Sequence, residues 1–187
     1  EDMRRSLLAI ERNATHMSRL LNQLLSDASV IHRSHLRSFA TVDLADVVHQ
    51  ALHEALPQAG PAPRVQLAMT NAVVSVNGDA LLLREAIKNL IDNAVKYGGA
   101  GVLQIALTVE AADAVLTIAD HGPGIAAADA ERVFERFGRG EHAPAGGAGL
   151  GLAIVKRVID SHGGRIDLAN RPEGGLVATL RLPRSNA

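Results

Sequence analysis

The sequence predicts an α/β (α+β) two-layer sandwich, in which helices cover one face of a mixed β-sheet. One long helix precedes this domain. Apolar residues recur at heptad spacing up to residue 31. From residue 42 onward, helical periodicity alternates with short β-branched runs that mostly form predicted hairpins, as in a mixed sheet with helices on one side. Apolar residues make up 47% of the 187-residue chain and are mostly aliphatic, which is enough for one domain with its own core.

The N-terminal segment is predicted to form one long helix in a bundle. Its apolar residues are separated alternately by three and four positions: Leu7, Ile10, Ala14, Met17, Leu21, Leu24, Ala28 and Ile31. Leu20 and Leu25 widen this stripe, which favours an intermolecular four-helix bundle. A single amphipathic helix packed on its own domain is the alternative. We divide the chain into the heptad helix (1–33), a linker (34–41), a domain (42–183) and a tail (184–187).

Capping and breaking residues delimit the predicted elements of the domain. Asp43 is the expected N-cap of a helix that runs through Leu56, and Gly78-Asp79 opens a second helix over residues 81–97 that Gly98-Gly99 closes as C-cap signals. Further helices are predicted over residues 126–137 and from about Leu150 to the residue before Gly163, with a loop rich in glycine, alanine and proline at 138–148. Strands are predicted at 65–69, 73–76, 102–109, 114–119, 165–169 and 177–182.

The composition excludes several classes of function. The formal net charge is −1 and basic residues do not cluster, which argues against a nucleic-acid surface. The absence of cysteine excludes disulfides and thiolate metal sites, and the histidines are scattered. The chain has no apolar run of membrane-spanning length and no signal peptide, so we expect a cytoplasmic piece of a longer protein that does not itself contact a membrane.

Four polar residues share one face of the helix over residues 81–97. Asn89, Asn93, Lys96 and Tyr97 stand at positions i, i+4, i+7 and i+8, while aliphatic residues occupy the other side. Two carboxamides and an ammonium on one stripe indicate a polar ligand. An ordinary solvent-facing stripe is the alternative.

Two glycine-containing segments follow. Asp120-His-Gly122-Pro-Gly124-Ile125 comes directly after a strand and offers a carboxylate beside a backbone that a flat ligand can approach closely; a Gly-Pro turn with an Asx cap is the alternative. Gly147, Gly149, Leu150 and Gly151 run into a helix, and N–H groups at a helix N-terminus suit phosphate. This segment lacks the Gly-Lys-Ser/Thr ending of a Walker A loop, and a flexible hinge would have a similar composition.

In this order and at this spacing, the three segments resemble the N box and the two glycine boxes of the histidine kinase catalytic domain, with a Phe motif between the latter at residues 134–139. The resemblance covers about residues 41–183 and implies the Bergerat fold of the GHKL ATPases. The heptad segment resembles the second helix of that family's dimerisation and phosphotransfer hairpin. Type II topoisomerases, heat-shock chaperones and mismatch-repair proteins share the fold.

The resemblance implies ATP and Mg²⁺ as ligands and gives each residue a role. Asn93 should coordinate the Mg²⁺ that bridges the phosphates, with Asn89 lining the same pocket. Lys96 should contact phosphate, and Tyr97 should pack by the ribose or base. Asp120 should accept a hydrogen bond from the adenine amino group.

The glycine boxes and the Phe motif take the remaining roles that the resemblance implies. Gly122 and Gly124 should make room for the base, with Ile125 in the same pocket. Gly147, Gly149, Leu150 and Gly151 should hold the phosphates and act as the hinge of a lid. Arg136 and Arg139 should reach the γ-phosphate during transfer. Phe134 and Phe137 should anchor the lid.

Hydrolytic relatives have Glu where this chain has Asn89, and an amide cannot act as a general base, so the resemblance favours phosphoryl transfer to a protein histidine. Two departures stand out: His121 replaces the usual Asn, and Ala148 replaces the usual Thr or Ser.

The family's acceptor histidine, followed by a carboxylate and Arg-Thr-Pro, does not occur in this sequence. His16 lies at a heptad c position and is interpreted as solvent-facing. We therefore expect the chain to bind Mg·ATP without phosphorylating itself, to self-associate through residues 4–32, and to serve a response regulator in the intact protein. A non-catalytic nucleotide-binding module and an anti-sigma-factor-type serine kinase are the alternatives, although the heptad helix speaks against the latter.

Overall fold

The computed structural model describes residues 39–56, 63–99, 101–135, 138 and 149–185. The predicted heptad helix, most of the predicted linker and residues 139–148 of the glycine-rich loop lie outside these residues. The described residues form seven strands and three α-helices in this order: β1 (Ala40–Asp43), α1 (Leu44–Ala55), β2 (Val65–Met69), β3 (Ser75–Gly78), α2 (Ala80–Tyr97), β4 (Leu103–Glu110), β5 (Asp113–Ala119), α3 (Gly151–Ser161), β6 (Arg165–Asn170) and β7 (Leu176–Pro183).

Five of the strands form the main sheet in the order β2-β4-β5-β7-β6. The β2–β4 pair is parallel and the other three pairs are antiparallel, so the sheet is mixed as predicted. β1 and β3 form a separate antiparallel pair.

The helices cover one face of the main sheet and bury its apolar side. Along β4 and β5, Ile105 pairs with Ile118 and Leu107 pairs with Leu116, and all four are buried; on β4 the residues between and beside them are more exposed. α2 packs between α1 and α3. Its buried residues join the same core as those of the strands, which confirms the predicted two-layer architecture.

The predicted caps of the helices are confirmed. The side chain of Asp43 accepts a hydrogen bond from Ala45 N, and that of Asp79 accepts from Leu81 N and Leu82 N at 2.9 and 3.2 Å. An N-cap acceptor of this kind stabilises a helix start by about 1 kcal/mol. At the other end of α2, Gly98 forms the C-cap.

Two regions differ from the prediction. Residues 40–43, of which the first two were assigned to the linker, form β1 and pair with β3, which lies at 75–78 and not at 73–76. The predicted helix at 126–137 is not continuous over its described residues, 126–135: Ala127–Asp129 and Arg132–Phe134 are short 3-10 turns. Neither turn has a side-chain N-cap, and each buries a single residue, so too little holds a continuous α-helix there.

His162 joins the end of α3 to the start of α2. Its Nδ1 lies 2.7 Å from the Val158 carbonyl oxygen, and its Nε2 accepts a hydrogen bond from Asp79 N at 3.0 Å. The ring is buried, stacks on Phe39 and lies against Gly78. An imidazole at the end of a helix can meet the helix dipole, and here it also forms a buried link between two helices.

Candidate functional site

The polar stripe of α2 faces the N-terminus of α3. Asn89 and Asn93 are half-buried, and Asn89 Nδ2 donates to the Glu85 carbonyl at 2.9 Å and to Glu85 Oε1 at 3.3 Å. A Cβ placed on Gly151 would lie 3.2 Å from Asn89 Oδ1 and 3.6 Å from Asn93 Nδ2. The structure therefore brings the two predicted asparagines to the predicted glycine.

The start of α3 can receive an anion. Leu150 is buried at the N-cap position, its side chain makes no capping hydrogen bond, and Gly149 before it has a φ of +67°. The N–H groups and the positive end of the helix dipole at such a terminus attract negative charge. Because Gly151 lacks a side chain, the carboxamides of α2 stand directly beside this terminus.

Asp120 lies at the other end of the stripe, directly after β5. It is half-buried, and its Oδ1 accepts hydrogen bonds from Gly122 N at 2.8 Å and from Leu176 N at 3.1 Å. Among the hydrogen bonds of the described residues, none uses Oδ2. One oxygen thus fixes the carboxylate, and the other is available to a ligand donor.

The two glycines after Asp120 allow the loop to pack on the protein itself. A Cβ on Gly122 would overlap the Tyr97 carbonyl oxygen at the end of α2, and Gly124 has a φ of +74° and faces the side chain of Asn170. Each glycine is therefore required by contacts within the chain, independently of any space that a base would need.

Asn170 is a residue of this region that sequence reasoning missed. Its Oδ1 accepts from Ile125 N at 2.8 Å, and its Nδ2 donates to the Ile125 carbonyl at 2.7 Å. The two residues are 45 positions apart, so no local pattern could have connected them.

Lys96 and Tyr97 close the stripe at the end of α2. Lys96 is exposed, and its Nζ lies 4.9 Å from the centroid of the half-buried Tyr97 ring, within cation–π distance. His121, which stands where the family usually has Asn, is exposed, and its Nδ1 lies 3.1 Å from the Val102 carbonyl oxygen.

Some predicted site residues lie outside the described residues: Arg136, Arg139 and Gly147. The Phe motif is described only at its start, where Phe134 packs against the core and Phe137 is not described. Within the described ranges, no group of three or more His, Asp and Glu side chains is arranged to hold a metal ion. Nor does any described helix combine the length and apolar character needed to cross a bilayer.

Comparison with known proteins places this geometry in a family. Over residues 78–186 the sequence matches the histidine kinase-, DNA gyrase B-, and HSP90-like ATPase family. The chain belongs to this family. The sensor protein kinase PmrB of Pseudomonas aeruginosa is 36% identical over 185 residues, which is 97% of this chain and 38% of that protein.

Solved structures narrow the assignment within the family. The ATP-binding domain of PrrB from Mycobacterium tuberculosis is 34% identical with a TM-score of 0.64, covering 79% of this chain and 98% of that one. Full-length ShkA in complex with AMPPNP is 27% identical with a TM-score of 0.78, covering 100% of this chain and 40% of that one. The chain is thus a histidine kinase catalytic ATP-binding domain, as its motifs predicted. It spans less than half the length of curated relatives such as PmrB and PrrB.

Proposed function

We propose that this chain binds Mg·ATP between α2, α3 and the loop at Asp120, and that it transfers the γ-phosphoryl group to a histidine for passage to a response regulator. This proposal rests on the arrangement around α2. At one end of α2, the Asp120 carboxylate is held through Oδ1 and leaves Oδ2 unused. Farther along α2, Asn89 and Asn93 face Gly151 at the start of α3. Membership of the family and the AMPPNP complex of ShkA support the proposal.

Asp120 selects adenine by the polarity of one hydrogen bond. A carboxylate only accepts, and adenine presents an amino donor at position 6 where guanine presents a carbonyl acceptor. An acceptor–acceptor contact leaves both oxygens unpaired, which costs a ligand about 1–3 kcal/mol. Tyr97, half-buried at the end of α2, supplies a ring beside the base or ribose.

In this proposal the phosphates lie beside the N-terminus of α3, next to Asn89 and Asn93 of α2. The N-terminus of α3 and Lys96 attract their charge, and Asn89 lines the pocket. Asn93 contributes its amide oxygen to Mg²⁺, an ion that in nucleotide sites takes few protein ligands and uses phosphate and water for the rest. Bound there, Mg²⁺ would neutralise charge on the phosphates, and a single amide oxygen as protein ligand fits that role. Arg136 and Arg139 are proposed to reach the γ-phosphate during transfer.

The proposed reaction is transfer to a nitrogen nucleophile. An imidazole nitrogen of the acceptor attacks the γ-phosphorus while the bond to the β–γ bridging oxygen breaks, and ADP leaves. Asn89 supplies no general base for water, and its amide is engaged by Glu85. The acceptor is proposed to be a histidine outside this sequence, because no histidine here is followed by the family's acceptor string. Since ATP is a cytoplasmic nucleotide, the domain is proposed to work in the cytoplasm.

Calorimetric titration of Mg·ADP and of a non-hydrolysable ATP analogue tests the nucleotide site. Asp120→Asn removes the charge of the acceptor and should weaken ADP binding by about 10- to 100-fold, the loss expected for a charge-assisted hydrogen bond. Asp167→Asn, the same change at an exposed position of β6, is the matched control and should bind as the wild type does. A folded wild-type chain that binds no nucleotide would refute the proposal.

Transfer is tested separately with γ-labelled ATP. The chain alone should acquire no label, while a phosphotransfer hairpin carrying the acceptor histidine, added in trans, should be labelled. Binding without any transfer to a hairpin from the parent kinase would contradict the catalytic half of the proposal.

A further inference from the structure

The loop over residues 120–125, which carries Asp120, is attached at both of its ends to the hairpin formed by β6 and β7. At the first end, Leu176 N donates to Asp120 Oδ1 at 3.1 Å, and Arg171 Nη1 donates to the Asp120 carbonyl at 3.1 Å. Gly175, with a φ of +109°, packs so closely there that a Cβ on it would overlap the Asp120 carbonyl oxygen.

At the second end, the Asn170 carboxamide pairs with both backbone groups of Ile125, at 2.8 and 2.7 Å. A side-chain amide can satisfy a donor and an acceptor at once, as a neighbouring strand would. Gly124 has no Cβ in the path of this pairing. We call this pair of hydrogen bonds the Asn170 clamp.

The clamp has no substitute among the described residues. Within that part of the chain, no other hydrogen bond joins residues 123–125 to the rest of the domain. The other hydrogen bonds of the loop lie in its first half: Asp120 N donates to the Leu176 carbonyl at 2.9 Å, His121 Nδ1 lies near the Val102 carbonyl, and Gly122 N donates to Asp120 Oδ1. Without the Asn170 side chain, no hydrogen bond among the described residues would join residues 123–125 to the rest of the domain.

We propose that Asn170 is a positioning residue for adenine recognition. This inference rests on the proposed function and adds a residue to it. Asn170 acts through Ile125: by holding the far end of the loop, it keeps Gly122 N on Asp120 Oδ1 and so keeps Oδ2 directed at the base. A site already held in its bound geometry loses less entropy on binding, so the clamp strengthens the contact with the adenine amino group and leaves the phosphate contacts of α2 and α3 unchanged.

The test is a comparison of ADP with IDP, whose base carries a carbonyl where adenine carries the amino group. The dissociation constant of IDP divided by that of ADP reports the contact at Asp120 Oδ2 and cancels the phosphate contacts. Asn170→Ala should lower this ratio by about 3- to 30-fold, the range expected for losing one or two neutral hydrogen bonds. Asn77→Ala, which truncates an exposed asparagine of β3, is the matched control and should keep the wild-type ratio.

A conservative variant separates the clamp from simple loss of side-chain volume. Asn170→Asp keeps an acceptor for Ile125 N but replaces the donor with an oxygen facing the Ile125 carbonyl, so it should also lower the ratio. Equal weakening of ADP and IDP, or a wild-type ratio in both variants, would overturn the inference.

Amide hydrogen exchange without nucleotide gives a readout that does not depend on the proposed function. The amides of Gly122 and Leu176 both donate to Asp120 Oδ1, so they should exchange faster in Asn170→Ala than in wild type or Asn77→Ala. If the wild-type chain binds no ADP, the proposed function fails, and hydrogen exchange alone then tests whether Asn170 positions Asp120. Faster exchange of these two amides in Asn170→Ala supports the clamp, and unchanged exchange overturns it.

Discussion

Replacing His162 tests how strongly the buried link between α3 and α2 stabilises the domain. His162→Ala removes the acceptor of Asp79 N, the partner of the Val158 carbonyl and the ring stacked on Phe39 at 4.6 Å between centroids. His162 and Asp79 are 8% and 5% exposed, so water does not readily replace these contacts.

The expected loss follows from these contacts. Leaving the buried Asp79 N–H without a partner costs about 1–3 kcal/mol, and the lost bond to Val158 adds about 1 kcal/mol. The stacked ring contributes about 0.5–1.5 kcal/mol more. His162→Ala should therefore lower the free energy of unfolding by about 3–5 kcal/mol, which for a domain of this size corresponds to roughly 10 °C in melting temperature.

Two further variants assign the loss to one nitrogen. Gln can present an acceptor where Nε2 stood, whereas Asn can present a donor where Nδ1 stood. Because the orphaned Asp79 N–H is the largest cost, His162→Gln should retain more stability than His162→Asn. Urea unfolding followed by circular dichroism measures all three variants. A loss below about 1 kcal/mol in His162→Ala, or Asn equal to or better than Gln, would refute the reasoning, given the range assigned to an unsatisfied buried donor.

Four more outcomes are expected. Burial lowers the pKa of His162 from its usual 6.5, despite the raising effects of Val158 and Asp79, so the unfolded chain binds more protons than the folded one. The stability that wild type has over His162→Gln should therefore be full above pH 6.5 and shrink as the pH falls below it. A stability difference that stays constant from about pH 8 to 5 would contradict this. Gly175→Ala should lower the stability in urea more than Gly174→Ala does, because both glycines have a positive φ but only a Cβ on Gly175 would overlap the Asp120 carbonyl oxygen. Equal losses of stability in the two variants would count against the close packing of Gly175 on Asp120. Asn93→Ala should weaken Mg·ADP binding in calorimetry but leave ADP binding in EDTA unchanged, and an equal loss in both would remove the metal role. The heptad segment over residues 4–32 should make the chain self-associate, and light scattering that shows a monomer at high concentration would refute that.

Local signals in the sequence were enough for much of the fold. The Asp79 cap, the Gly98 end and the 3.6-residue period defined α2 because all three depend on neighbours within one or two turns. The stripe at Asn89 and Asn93 followed from the same geometry. Asp120 was placed correctly at the end of β5 because a strand-like run of apolar and β-branched residues ended there.

Features that depend on distant partners were missed. β1 forms only because Ala40 and its neighbours meet β3, more than 30 residues away. The clamp at Asn170 and the bond from His162 to Asp79 join positions 45 and 83 residues apart. The segment at 126–137 has helix-forming composition, but its described part, 126–135, buries too little to stabilise a continuous helix.

The attachment of Asp120 to the hairpin of β6 and β7 determines when the proposed adenine pocket can be completed during synthesis. Asp120 is made more than 50 residues before its partners Arg171 and Leu176. A nascent chain that has released α2, β5 and even α3 lacks the contacts of Asp120 with Arg171 and Leu176, because β7 has not yet paired with β5. If nucleotide binds at the proposed site, it should therefore bind only after the last hairpin of the sheet has left the ribosome.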